Sequence, residues 1–234
     1  MKKLVLIIAI SFFSIYALGQ ETKDAANMES SISLGFKFNA GASEVRESFT
    51  ANPFNFVPDN KLQFAYNFGI LTHYKFDVNN GIGLEVFYNK VNGLDHLGED
   101  YIDGNGEKFG SGYRDIERHL SYLSIPVYYT YSISKWRFGI GIQTSFALSA
   151  TNVQTFNGTR NGMPYYYQVT NNDYKIKDYD VGPKLCIFYK LSDNLVLNAD
   201  YYIGVTTVND NLTGYSSQNL NNEVLSFGIV FMVK

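Results

Sequence analysis

Along eight separate stretches of the chain, apolar residues alternate with small or polar ones at period two. Most of these stretches run for about 10 to 15 residues, whereas strands of globular proteins average ~5–6 and membrane-crossing strands need ~9–11. The first, 31–41, sets Ile32, Leu34, Phe36 and Phe38 against Ser33, Gly35, Lys37 and Asn39. The second, 63–77, sets Phe64, Tyr66, Phe68, Ile70 and Tyr74 against Gln63, Asn67, His73, Lys75 and Asp77. The same alternation recurs over 82–91, 120–133, 136–150, 179–191, 195–207 and 224–233. In the 136–150 stretch, Ser145 and Ser149 share the polar face. Period two specifies strands. No apolar run after the N-terminal segment approaches the ~18 residues of a spanning helix.

The connections alternate in length. Three are short turns at 78–81, 132–135 and 192–194, and Asn80-Gly81 in the first is a strong hairpin signal. The other four span roughly 15 to 28 residues, lack the alternation, and are expected to be loops. Short turns at one rim and long loops at the other characterise outer-membrane barrels. In hydrocarbon every backbone N–H and C=O needs a protein partner, which a closed barrel supplies. The sequence therefore predicts an all-β fold: an eight-stranded antiparallel up-and-down transmembrane β-barrel in the outer membrane of a Gram-negative cell. Apolar faces point to lipid, both termini are periplasmic and the long loops are extracellular. Aromatics are expected in two girdles. Tyr74, Phe76, Tyr131, Trp136, Tyr189 and Phe231 fall at the short-turn rim, and Phe38, Phe64, Tyr66, Tyr88 and Phe146 at the other.

The N-terminus has a separate reading. Lys2 and Lys3 precede an apolar run, 4–18, that is too short to span a membrane, and Ala17-Leu18-Gly19 fits a cleavage site. Residues 1–19 are expected to be a signal peptide, 20–30 a flexible lead-in and 31–234 the barrel domain. Charged residues are only 18% of the chain and the formal net charge is −3, which gives no nucleic-acid footprint. Cys186 is the one cysteine, so no internal disulfide can form.

An eight-stranded barrel is just wide enough inside for side chains to fill it. Parity sends Lys37, Lys75, Arg137, Lys184 and Lys190 inward, with Asp77, Glu85, Asp180 and Asp200. Lys37, Lys75, Glu85, Arg137, Lys184 and Asp200 are expected to form a paired polar network that plugs the lumen, with a narrow solute pore as the alternative.

The segment Tyr122-Leu123-Ser124-Ile125-Pro126-Val127 resembles the YLxIP strand of the PorT-like outer-membrane β-barrel family. Phe138-Gly139-Ile140-Gly141, Asp180-Val181-Gly182-Pro183 and Leu191-Ser192-Asp193-Asn194-Leu195 are similar to that family's Gly-rich strand openings and short turn. The resemblance covers nearly all of the mature chain. It implies an eight-stranded outer-membrane barrel and, for some members, secretion support or envelope maintenance. The chain departs from the usual aromatic C-terminus by ending Phe231-Met232-Val233-Lys234.

Candidate chemistry is sparse. His119 and Ser121 form a His-x-Ser pair of one parity, with Glu117 placed to orient the histidine. This resembles the pair of eight-stranded lipid A deacylases, in which a base activates serine. A polar pair where a strand leaves the membrane is the simpler account. Asp103-Gly104-Asn105-Gly106-Glu107 resembles part of a calcium loop, but Tyr101 and Gly112 stand at its first and twelfth positions, and a turn at a loop tip explains it better. Tyr165, Tyr166 and Tyr167 offer an adhesive surface or a strand extension. The expected function is a non-enzymatic barrel acting in envelope integrity, secretion support or surface binding, with a lipid hydrolase as the alternative. No cofactor or metal is implied. Expected partners are outer-membrane lipid, the barrel-assembly machinery and surface or secretion-system proteins.

Overall fold

The computed structural model describes residues 30–49, 59–102, 108–172, 176–206 and 218–233. The expected signal peptide, all but the last residue of the lead-in, and the 103–107 turn lie outside them. Ten strands are present among the described residues: β1 (Ser31–Phe49), β2 (Asp59–Lys61), β3 (Gln63–Lys75), β4 (Asn80–Ile102), β5 (Lys108–Ile133), β6 (Trp136–Arg160), β7 (Met163–Asn171), β8 (Tyr179–Lys190), β9 (Leu195–Ile203) and β10 (Gln218–Val233). Eight close into a ring of antiparallel neighbours, β1-β3-β4-β5-β6-β8-β9-β10. The seam joins the first strand to the last, from Leu34↔Val233 to Phe49↔Gln218. No sheet edge is left in the ring, as hydrocarbon requires.

The outer surface of the ring is formed by the apolar faces of its strands. Phe36, Phe38, Phe68, Ile140, Ile142, Phe227 and Phe231 are among its exposed residues. Aromatic rings gather at both rims of this band. Trp136 lies 4.6 Å from Tyr189 and Tyr74 packs near Phe76 at the short-turn end; Phe64, Tyr66 and Tyr88 cluster at the other.

The turns at one end are tight. Asp77 accepts the Asn79 and Asn80 backbone N–H groups at 2.7 Å and the Asn80 side-chain amide at 2.6 Å. These bonds, the Asn80 amide first, hold the Asp77 carboxyl below its ordinary pKa. Its contribution to the turn is present above the unfolded-state pKa and lost as pH falls through the lowered folded value.

At the other end the structure corrects two expectations. Where they are described, the stretches expected to be loops are largely strand. β4 and β5 stay paired from Asn80↔Tyr131 out to Ile102↔Lys108, and β6 turns at Asn161-Gly162 into β7. Above the lipid band both sheet faces are more polar, so the apolar alternation fades while backbone pairing continues. Positive φ at Asn161 (52°) and Gly162 (74°) is the geometry of a two-residue hairpin turn. The second correction is Ser149. The register between β5 and β6 shifts from Ser121↔Ser149 to Tyr122↔Ala147, leaving Leu148 as an extra residue. This bulge reverses the parity of β6. Gln143 and Ser145 are buried before it and Ala150 and Asn152 after it, while Ser149 is exposed.

The lumen is filled. One apolar cluster, with Leu71, Tyr128, Phe188 and Val230, lies toward the short turns. A second, with Val45, Val91, Leu120 and Tyr122, lies toward the extension. The Tyr128 ring crosses the interior because glycine faces it. A Cβ on Gly83 would fall 2.2 Å from that ring, and one on Gly139 would fall 2.3 Å from Cys186 Sγ. Gly83→Val is therefore expected to overpack the core and to destabilise the barrel by about 1–3 kcal/mol. The urea midpoint of the form that migrates fast on unboiled gels measures this. An unchanged midpoint would mean that Tyr128 has other room.

Candidate functional site

The most highly organised cluster of charge is in the lumen. Lys37 on β1, Glu85 on β4, Lys184 on β8 and Asp200 on β9 meet from four sides of the ring. Lys37 Nζ donates to both Glu85 carboxylate oxygens at 3.0 Å and also bonds Asp200. Lys184 Nζ donates to Glu85 at 2.7 Å and lies 3.3 Å from Asp200. Tyr128 Oη donates to Glu85 at 2.8 Å, and Asn39 Nδ2 to Asp200 at 3.2 Å. Asn39 and Asn67 extend the set to the Ser226 hydroxyl. The lysines are also covered by rings, Lys184 over Phe87 at 4.9 Å and Lys37 over Phe188 at 5.8 Å.

Two cations and two anions cancel. Isolated, each would be prohibitively costly to bury; paired and hydrogen-bonded, the set is tolerated. The arrangement can seal and cross-brace the barrel. With these side chains buried to within a few per cent, it offers no water-filled path at this level.

Two residues expected in the network stand apart from it. Lys75 and Arg137 face inward near the short-turn rim, half-buried, and join no ion pair among the described residues. The Arg137 guanidinium lies over the Phe188 ring at 5.7 Å. Three other inward charges also have local roles. Asp77 caps its turn, Lys190 pairs with Asp193 at 2.8 Å on the rim, and Asp180 accepts from Asn222 Nδ2 and Thr206 Oγ1 at 2.8 Å each. A second buried ion pair, Arg118–Asp95, lies in the stretch expected to be loop. Its inward parity becomes visible only once β4 and β5 are extended past the lipid band.

His119 and Ser121 both face outward, just above the apolar band. The structure does not join them. His119 Nδ1 lies 3.0 Å from Asn92 Oδ1, and its Nε2 lies 3.7 Å from Glu117. Ser121 Oγ accepts from Tyr88 Oη at 2.9 Å and Lys90 Nζ at 3.2 Å. Residues i and i+2 on one strand face are ~6.8 Å apart along the backbone, and each side chain here is drawn to a neighbouring strand instead. Glu117 reaches the histidine, but the serine has no base. Ser121 acts as an acceptor that ties Lys90 and Tyr88 to β5.

The other histidines are likewise engaged, His73 with Thr130 Oγ1 at 2.9 Å and His96 with Asp115 at 2.6 Å. Cys186 is buried. No cluster of metal-ligating side chains occurs among the described residues. In the extension, the inner face carries Arg114 over Phe156 at 4.4 Å and Phe156 against Tyr167 at 5.8 Å. Tyr165 and Tyr167 flank the face, and Tyr166 points the other way, well exposed.

A family model described as outer membrane protein beta-barrel domain matches residues 19–210. No curated protein matches the sequence. Among solved structures, the chain is similar to Neisserial surface protein A (NspA) at 11% identity, covering 84% of this chain and 96% of that one, with a TM-score of 0.37. It is similar to the outer membrane protein OprG from Pseudomonas aeruginosa at 12% identity, covering 86% and 95%, with a TM-score of 0.43. It is also similar to the outer membrane protease OmpT from Escherichia coli at 11% identity, covering 90% and 99%, with a TM-score of 0.42.

Two outcomes follow from the geometry. Glu85→Gln leaves both lysines short of their shared counter-ion and is expected to cost about 3–5 kcal/mol. An unchanged urea midpoint would mean that water solvates the ammonium groups. Ser121→Ala removes a buried acceptor shared by Tyr88 and Lys90 and is expected to cost about 1 kcal/mol. Purified wild type and variant are expected to release no fatty acid from lipid A above a protein-free control; serine-dependent release would reinstate the hydrolase.

Proposed function

The chain belongs to the outer membrane protein beta-barrel domain family, and on that premise we propose that it is a closed, non-enzymatic outer-membrane barrel that displays a binding surface to the cell exterior. One observation carries this reading. β4, β5, β6 and β7 continue as a paired sheet past the lipid-facing band, above a lumen that is filled. Material moving through the barrel would have to displace the Lys37–Glu85–Lys184–Asp200 set. Material meeting the cell from outside would encounter the extension first.

In this proposal the short turns and both termini are periplasmic and the leader is removed after Gly19, where the family match also begins. The Tyr122–Val127 strand supports a PorT-like member within the larger family. The partners proposed are the barrel-assembly machinery on insertion, and surface or secretion-system proteins at the extension. Tyrosine-rich faces suit such contacts, because a large ring gives area at low entropic cost.

Cysteine labelling tests the orientation. Tyr166→Cys is expected to react with a membrane-impermeant maleimide on intact cells, and Asn79→Cys only after the envelope is opened. Cys186, 2% exposed, gives little background. The reverse pattern would overturn the orientation. In planar bilayers the purified protein is expected to show no conductance above the lipid-only control; discrete channel steps would favour the pore. Replacing Tyr165, Tyr166 and Tyr167 by serine is expected to lower adhesion of expressing cells to protein-coated surfaces with heat-modifiability unchanged.

A further inference from the structure

At the short-turn mouth of the barrel, cations outnumber carboxylates among the described residues. At this mouth Leu34 of β1 pairs with Val233 of β10, and Ser31 to Ser33 pair with β3. Beside them is a cavity of about 340 Å3. Lys135, Arg137 and Lys190 line it, with Asp193 the one carboxylate among its lining residues. Asp193 is already paired with Lys190.

Arg137 is the informative residue. Lys37, Lys184 and Arg118 face inward and each meets a carboxylate. Arg137 lies over the Phe188 ring, and its Nε is buried with no hydrogen-bond acceptor among the described residues. An unsatisfied buried donor on a charged group is costly unless an anion completes it. Lys135, exposed on the turn two residues before Arg137, adds a second cation, and Ser31 on β1 adds a hydroxyl. Donors converging from separate strands suit a tetrahedral oxyanion, which offers oxygens in several directions, and the guanidinium fork suits two of them at once.

The cavity also has an apolar side. Ile32 and Val233 line it while facing outward, and they continue the lipid-facing row of Leu34 and Phe36. Trp136 and Tyr189 lie at this same rim, the level at which interfacial aromatics meet headgroups. A molecule with a phosphate in the mouth could lay a hydrocarbon chain along that row.

We propose that the short-turn mouth is a binding site for the phosphate of an anionic glycerophospholipid, held by Arg137 and Lys135. This goes beyond the display reading and depends on it only for naming the leaflet, the periplasmic one. Free inorganic phosphate shares the same chemistry, and the test separates the two sources.

The full chain is refolded into phosphatidylcholine vesicles with and without phosphatidylglycerol, and the thermal midpoint of the heat-modifiable form is followed. Phosphatidylglycerol is expected to raise the midpoint, and an anionic lipid bearing only a carboxylate to raise it less. Lys135→Gln, on an exposed turn where folding is not at stake, is expected to weaken the dependence on phosphatidylglycerol about tenfold, the scale of one charge-assisted hydrogen bond. Arg137→Gln is expected to abolish it. A matching rise with inorganic phosphate in pure phosphatidylcholine, lost in the same variants, would keep the site and assign it to the free ion. No rise with either phosphate source, or a rise undiminished in Lys135→Gln, would overturn the proposal. Neither result bears on conductance or labelling, so this site and the display reading fail separately.

Discussion

The hydrogen-bonding demand of the backbone in hydrocarbon governs this molecule. An unpaired N–H or C=O there costs several kcal/mol. The β1–β10 seam meets that demand by joining the ends of the chain, and it fixes an even strand count for an antiparallel ring. It also decides which face is which. Once the outside is lipid, the apolar parity must point outward, and the small and polar parity inherits a space too narrow for bulk water.

That narrow interior explains why the lumen holds both charges and a core. Apolar clusters occupy the two ends, and between them Lys37 and Lys184 bring cations that cannot reach water. Glu85 sits between the two ammonium groups, Asp200 serves both again from β9, and Phe87, Phe188 and Tyr128 offer ring faces to the lysine ends. The result cross-braces four strands that are not all neighbours. Membrane barrels can accept such a set because the apolar driving force is spent on lipid contact, leaving the inside free for polar ties.

Much of this was legible because strand parity is a rigid rule. Lys37, Glu85, Lys184 and Asp200 meet because period two leaves each of them one direction to point. What escaped were the features that break or outrun the rule. The extra residue at Leu148 reverses parity, so Ser149 faces out, and no residue type there announces a bulge. The long connections read as loops because their apolar alternation stops at the top of the lipid band, although backbone pairing does not. Asn161-Gly162 is a hairpin signal in one such stretch, but Asn157-Gly158 offers the same pair four residues earlier and lies within paired strand. Arg118 and Asp95 were invisible for the same reason. Partnering across strands also escaped. The sequence places His119 and Ser121 on one face, but only register shows Asn92 and Lys90 beside them, each near enough to take one side chain away.

The extension is a continuation of barrel logic into water. β3 covers β4 as far as Lys90, and β2 takes over at Leu94 to His96. β8 covers β6 from Trp136 to Phe146, and β7 takes over from Asn152 to Arg160. Short strands thus occupy the edges that barrel strands vacate as they turn away. Water could satisfy those backbone groups, so the relay is not a demand of the bilayer. Its effect is mechanical: a sheet flanked on both sides resists bending more than a bare hairpin does. The buried Arg118–Asp95 pair adds a tie across β4 and β5 at its base. A stiffened sheet that holds Arg114, Phe156 and Tyr167 in fixed relation suits a surface that receives a partner, whereas a closing lid needs a hinge, and β4, β5 and β6 each run as one strand from the barrel into the extension.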